Sequence, residues 1–404
     1  MISYSQELMW IDHQSDQMIS QLVTWANINS GSTHLKGIEE MQSSIVAAFT
    51  SLDCTIKKIP LAPRTVINSY GQPHERAQGS ILLMQKHPQA PFQVLLGGHL
   101  DTVYPPESSF QKVEQIEKNI MRGPGVADMK GGLVILLTVL KALERSKYAG
   151  KIGWEVFINA NEEIGSTGVD PILKECAERN SLALFFEPSF PDGALVNERK
   201  GSVNFTVVAR GREAHAGRDF HLGRNAITAL ARFITEAEKL NNTIEGITLN
   251  VGHVEGGGAV NIVPALAICR INVRLTRPEQ LSLICKALDS LVVQAHKKDG
   301  IALSLHEDTA RPPKLFDEKH QSLFKAFCTY AKDLGEEIQM RSTGGACDGN
   351  ILSAFGLPTI DSLGVIGGHL HTHDEYAVLS SLTQRAKLAT YFLLKLAEKL
   401  HVTS

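Results

Sequence analysis

No two of the six cysteines stand as Cys-x-x-Cys. Cys54, Cys176, Cys269, Cys285, Cys328 and Cys347 are scattered singly through 404 residues. That spacing excludes a zinc ribbon or a disulfide framework and suits reduced packing residues in a cytoplasmic protein. Basic charge is not in excess, the net charge being −3, so the electrostatic footprint of a nucleic-acid binder is missing. No run approaches the roughly 20 apolar residues that a membrane span requires. The N-terminus, Met1-Ile-Ser-Tyr-Ser-Gln-Glu-Leu8, lacks a basic segment leading into an apolar one, which argues against export. Internal repeats and low-complexity stretches are absent too. What remains, 43% apolar and 21% charged residues, is the composition of a soluble globular enzyme long enough for two domains.

Helical apolar spacing is expected over 6–28 and 36–51, with Met18, Ile19, Leu22 and Val23 on one face of the first. The runs 80–84 and 92–98 read as strands, 131–147 as a helix, and 151–160 and 182–186 as further strands. Alternating strands and helices with short apolar strand runs predict an α/β domain whose mixed sheet is covered on both faces. After Asp192 the character changes. Strand 203–208, helix 225–240, strands 247–254 and 266–275, helix 278–297 and strand 301–306 give the ferredoxin-like α+β order. From Pro312 the first pattern resumes with helix 317–334, strands near 337–340 and 358–363, and helix 381–400. The expected organisation is a discontinuous domain of residues 1–194 and 311–404, split by an inserted domain of residues 195–310.

Two adjacent acids, Glu162 and Glu163, end the apolar run Trp154–Asn161. Neighbouring like charges at a buried strand tip cost free energy unless a cation or proton offsets them. One resolution lets one Glu bind a metal while the other moves protons on an activated water. Another strand runs through Gly97-Gly98 into His99-Leu-Asp101. An imidazole there suits zinc, and a carboxylate two residues on can fix its tautomer, although His-x-Asp alone equally describes a core or surface histidine. Arg122-Gly-Pro-Gly-Val-Ala-Asp128-Met-Lys-Gly-Gly132 opens a helix without the Gly-Lys-Ser/Thr ending of a phosphate loop; as a fragment, it leaves Asp128 open to being an N-cap. Glu187-Pro188 follows another apolar strand, and Gly367-Gly-His-Leu-His371-Thr-His-Asp-Glu-Tyr376 is a candidate metal tract. Each acid or imidazole lies beyond a strand or a Gly-rich loop, where ligands of α/β sheets collect. Cys347, in Thr343-Gly-Gly-Ala-Cys-Asp-Gly-Asn350, is the one thiol in a setting open to chemistry, but no partner that would activate a thiolate accompanies it.

Together these segments resemble the M20 family of metallopeptidases, particularly its glutamate carboxypeptidases, across essentially the whole chain. The resemblance implies a zinc-peptidase-like catalytic domain holding two Zn2+ (Co2+ in some members), with the inserted lid domain forming a homodimer. Carried over by motif, it makes His99 a ligand of one metal with Asp101 supporting it, and Asp128 the bridge, joined to Met129 by a cis peptide. Glu162 becomes the general base and acid, Glu163 a ligand of the second metal, Glu187 a ligand of the first and His371 of the second. His369 and His373 are the flanking alternatives to His371. His215, in Gly211-Arg-Glu-Ala-His215-Ala-Gly217, matches the histidine that reaches the partner's active site and holds the oxyanion. Asn261 and Arg274 match the substrate-carboxylate pocket; Arg311 is expected to join it, and Gly344 and Gly345 to let backbone approach the substrate. Leu195 falls where glutamate-selective relatives place a basic residue, with Arg199 or Lys200 as nearby substitutes, so a glutamate preference does not follow.

The implied activity is hydrolysis of the amide bond of a small peptide or N-acyl amino acid, carboxypeptidase-like, with no nucleic-acid or membrane partner. The nearest alternative is an N-acyl-amino-acid deacylase of the acetylornithine or succinyl-diaminopimelate type. A non-catalytic metal-binding scaffold is the alternative of another class; Glu162 and His215 argue against it, since neither is needed merely to hold metal.

Overall fold

In the structure, a computed structural model describing residues 4–299 and 301–402, the apolar runs pair into one six-stranded mixed sheet. Its order is Thr55–Ile59, Ile81–Lys86, Ile152–Asn159, Phe92–His99, Leu182–Phe185, Thr359–Ile360. The first two junctions are antiparallel and the other three parallel. In register, His99 lies beside Asn159 and Gly97 beside Phe185. The carboxyl ends of three neighbouring strands therefore leave the sheet along one edge. Helices Lys130–Arg145 and Ser380–Val402 cover one face, burying Leu133, Leu136, Leu140, Phe392 and Leu393. Helices Asp170–Arg179 and Asp348–Ala354 cover the other, with Leu173 and Leu352 against Phe157 and Phe185. Burial on both sides explains why all eight residues of Ile152–Asn159 are buried and why its sequence does not alternate.

A second unit is built from Gly201–Arg210, Ala226–Glu238, Thr248–Gly256, Leu266–Leu275, Gln280–Asp299 and Ala302–Arg311. Its antiparallel strands lie in the order second, third, first, fourth, the ferredoxin-like arrangement. Val203, Phe205 and Val207 pack under the two helices with Phe233 and Leu288. The intervening Ser202, Asn204 and Thr206 face a cavity on the other side, as the two-residue period of a strand requires.

Several expectations need correction. The helix over 6–28 is two helices, Ser5–Asp12 and Ser15–Ala26; the polar run Asp12–Asp16 offers no apolar residue to seat a continuous one. The strand near 337–340 is Met340–Thr343, mostly exposed and so without a burial pattern to mark it. It pairs in parallel with Leu195–Arg199, so the four-stranded sheet starts at Gly201, and its last strand runs on to Arg311.

Candidate active site

Three of the acidic and imidazole groups reach the site directly from that sheet edge. His99 ends its strand, Glu162 lies three residues beyond Asn159, and Glu187 two beyond Phe185. Asp128 comes from the turn before helix Lys130–Arg145, and its bond to Met129 is cis. Gly132 lets this helix close on the sheet: a Cβ there would lie 1.9 Å from the carbonyl oxygen of Phe186, the residue before Glu187. His371 arrives on the loop between the short strands Gly367–Gly368 and Tyr376–Val378, with a positive φ of 62°.

The convergence is close. Asp128 Oδ1 stands 3.1 Å from His99 Nε2, and Asp128 Oδ2 stands 3.3 Å from His371 Nε2. Glu187 Oε2 is 3.6 Å from His99 Nε2, while Glu163 Oε2 is 3.2 Å from His371 Nε2. The set thus divides into His99 with Glu187 and His371 with Glu163, and Asp128 lies between them. Ligand atoms of His99, Asp128 and Glu163 all fall within 4.8 Å of one another. Asp128 is therefore not an N-cap: its carboxylate turns to the two imidazoles, and the helix has no side-chain cap.

The electrostatics show what such a cluster needs. Burial works against charge on His99, but Glu187, Asp101 and Asp128 raise its pKa well above the usual imidazole range. Hydrogen bonds to Asp128 and Glu163 push His371 up to about 11. Burial and the nearby Asp128 charge move Glu163 to about 7. Asp128 is buried too, yet the two imidazoles hold it well below the carboxylate range. Glu187, raised by burial, keeps Oε1 buried without a hydrogen-bond partner. This nest of acids thus calls for positive charge at its centre, which protons on the imidazoles or bound cations can supply. Two nitrogen and three carboxylate donors at these separations are a donor set that divalent cations fit.

Glu162 is placed differently. Burial raises its pKa well above the ordinary range, partly opposed by Arg311. Arg311 Nη1 lies 2.9 Å from its Oε1, and Arg311 Nη2 donates to its backbone oxygen and to Ser166 Oγ. Arg311 is therefore a buried clamp on Glu162 rather than a free fork in the substrate pocket.

Asp101 meets His99 chiefly through its backbone. The nearer acceptor for His99 Nδ1 is the Asp101 backbone oxygen at 2.9 Å, with the carboxylate Oδ1 at 3.5 Å. The carboxylate instead accepts from the backbone N–H groups of Glu162 and Glu163 and from Ser32 Oγ. It fastens the turn that carries both glutamates.

Sequence reasoning missed Glu375. Its Oε1 accepts from the N–H groups of Ala127 and Asp128 at 2.9 and 3.0 Å. Its Oε2 accepts from Gly125 N at 3.2 Å and Tyr104 O–H at 2.9 Å. The acid had been visible inside the histidine tract, four residues after His371, but nothing in the chain order ties it to the 125–128 loop.

Glu162, Glu163 and His371 line two cavities, and Asp128 and Glu187 the smaller of them. One, of about 770 Å³, reaches Arg274, Arg311 and Gly345 beneath the polar face of the four-stranded sheet. The other, of about 390 Å³, is bordered by Phe190, Val196, Arg199 and Gly345. Arg274 donates to Asn272 Oδ1 and to the Gly344 carbonyl. His215 and Asn261 line neither cavity. They sit together on adjoining loops, Ala216 N donating to Asn261 O. The exposed His215 accepts at Nδ1 from the N–H groups of Gly217 and Arg218, which leaves Nε2 as the nitrogen able to donate. Cys347 is buried and its thiol pushed well up by that burial, which removes it as a nucleophile.

A mixed α/β sheet whose edge delivers an imidazole and carboxylates to one cluster, completed from nearby loops, is the frame of a metal-dependent hydrolase. Residues 95–395 match the model of peptidase family M20/M25/M40, and the chain belongs to this family of metallopeptidases. It is 27% identical to carboxypeptidase G2 of Pseudomonas sp. (strain RS-16), over 94% of this chain and 89% of that protein. It is 25% identical to succinyl-diaminopimelate desuccinylase of Hahella chejuensis, over 76% and 82% respectively. Its fold matches that of a dinuclear metal-binding M20 peptidase from Bacillus subtilis with a TM-score of 0.65, covering 96% of this chain and 99% of that one at 12% identity.

Proposed function

We propose that the protein is a homodimeric dizinc amidohydrolase that releases an amino acid from a small peptide or an N-acyl amino acid. The observation that carries this reading is Asp128, whose two oxygens face imidazoles delivered from opposite ends of the chain. His99 and Glu187 would hold one cation, His371 and Glu163 the other, and Asp128 both. Bound there, the cations would lower the pKa of a water and polarise the scissile carbonyl. Cobalt suits the same donors.

The chain's own residues supply the rest. Glu162, its carboxylate steadied by Arg311, takes a proton from the attacking water and returns it to the leaving amine. Asp101 holds the turn that aims it. Arg274, with backbone at Gly344 and Gly345, receives the substrate carboxylate, and Asn261 of the partner subunit, carried beside His215, completes that pocket. His215 of the partner subunit donates Nε2–H to the developing oxyanion; its exposed position away from the cluster within one chain supports a role in a second copy. On this reading the unit expected at residues 195–310, whose sheet runs from Gly201 to Arg311, is an inserted dimerisation domain between the catalytic segments on either side of it. Cysteines that are all free support a cytoplasmic setting, and no described helix is long and apolar enough to cross a membrane.

Zinc-loaded protein should hydrolyse members of a panel of dipeptides, folyl-glutamate and N-acyl amino acids. No turnover across the panel, with zinc bound, would sink the reading. The likeness to a desuccinylase keeps an N-acyl-amino-acid deacylase as the second reading, and the same panel separates the two.

A further inference from the structure

The larger cavity has a wall that the chemistry above does not use. A hairpin of Arg64–Ile67 and Pro73–Arg76 crosses from the larger body to the four-stranded sheet. It is held there by Arg210 Nη2 donating to Gly71 O at 2.6 Å and by Arg270 Nη2 donating to Ile67 O at 3.1 Å. Ile67 packs with Val208 and Ile268 of that sheet.

Arg64 and Arg76 are direct cross-strand partners in this hairpin, so both side chains leave on the same face, and both line the cavity. Like charges placed opposite each other destabilise a strand pair. Among the described residues no carboxylate comes within ion-pair distance of either guanidinium. The hairpin's acid, Glu75, faces away and accepts from Thr65 Oγ1 at 2.6 Å. Asp308 lies in the same cavity but accepts from Thr206 Oγ1 at 2.7 Å. Arg64 is half-buried; that burial and Arg76 disfavour its charge, and Asp308 offsets them only in part. It also borders the chemistry: Nη1 donates at 3.2 Å to the carbonyl of Ile164, the last residue of the turn that begins with Glu162. A repelling pair of cations fixed beside the catalytic turn, opening into its cavity, is an arrangement an anion would complete.

We propose that the preferred substrate carries, besides the carboxylate received at Arg274, a second anionic group, carboxylate or phosphate, that docks on Arg64 and Arg76. This rests on the amidohydrolase reading and narrows its substrate class to dianionic compounds. The group recognised is on the substrate, and the hairpin holds the two guanidinium forks ready for it.

The test compares kcat/KM for matched pairs on the metal-loaded protein: N-glutaryl against N-pentanoyl amino acids, glutamate against glutamine as the released residue, and phosphoseryl against seryl dipeptides. At least one acidic member should exceed its neutral partner about tenfold or more, and in R64Q and R76Q that ratio should fall about tenfold. Taking the ratio within each variant cancels any general loss of activity. The pair that responds locates the anion and identifies it as carboxylate or phosphate. Equal turnover within every pair, or a ratio unchanged in both variants, overturns the proposal. Should no compound be hydrolysed, the amidohydrolase reading itself falls, and calorimetry then judges the arginine pair. Glutarate or inorganic phosphate binding that weakens tenfold in the variants supports it, and unaltered or absent binding overturns it.

Discussion

Replacing Glu375 by glutamine should weaken metal binding although this side chain faces neither imidazole of the cluster. The carboxylate accepts four hydrogen bonds, three of them from Gly125, Ala127 and Asp128 of the loop ending at Asp128. A glutamine offers a single acceptor oxygen. If it keeps the Ala127 and Asp128 bonds, its amide must point N–H at the N–H of Gly125, while Tyr104 falls back on the Thr372 carbonyl it already reaches at 2.7 Å. One buried backbone donor is then orphaned, at about 1–3 kcal/mol, and two charge-assisted bonds become neutral ones, at about 1 kcal/mol each. The expected loss is about 3–5 kcal/mol, partly recovered by relaxation of the loop, and that relaxation displaces Asp128. Because Asp128 faces both halves of the cluster, zinc affinity should fall about 10–100-fold, the usual effect of removing a residue that orients ligands. Competition against a chelator of known affinity measures the second effect, and thermal melting of metal-free protein the first. Zinc affinity within twofold of the parent protein, with melting unchanged, would refute the idea that Glu375 sets Asp128.

Glu162→Gln should retain zinc and lose at least about 10²-fold in kcat; appreciable remaining turnover would take the base role from Glu162. His215→Ala should lower kcat by about 10²–10³-fold with little change in KM. Mixing His215→Ala with Glu162→Gln subunits should restore about one quarter of parental activity, because each random heterodimer contains one site whose base and borrowed histidine are both intact; no recovery would exclude a shared site. Metal loading at pH 7 should release at least about two protons per chain, because His99 and His371 hold protons that ligation must displace and Glu163, at about 7, is partly protonated as well. Apparent affinity should then rise from pH 6 to pH 8, and calorimetry in buffers of differing ionisation enthalpy that finds no release would contradict the charge state described.

The parts of this molecule that announce themselves in the sequence are those whose neighbours are close in the chain. Gly97-Gly98-His99 and Glu162-Glu163 each couple a buried apolar strand to the polar residue at its tip, so strand and ligand are legible together. Two classes of element escape this. Edge strands such as Thr55–Ile59 and Met340–Thr343 are largely exposed and lack an apolar period. The short helix Asp348–Ala354 owes its burial to partners distant in sequence rather than to a long amphipathic pattern.

The same locality limits what could be read of the site. Motif by motif, the groups that surround Asp128 were nameable because each is an unusual residue in an unusual place. The residues that aim them are ordinary. Arg311 looks like one more arginine before Pro312-Pro313, and its position as the last residue of the strand Ala302–Arg311 is what carries it to Glu162. Ser32 and Asp101 meet across 69 residues, and Glu375 and Asp128 across 247. Such pairs carry no local signature because either partner, alone, satisfies every rule for a surface side chain. Only when the sheet brings the strand tips together do their charges lose water and require one another. Arg64 and Arg76 invert that case: their conflict is visible from the hairpin register alone, and Asp308, in the same cavity, relieves it only in part.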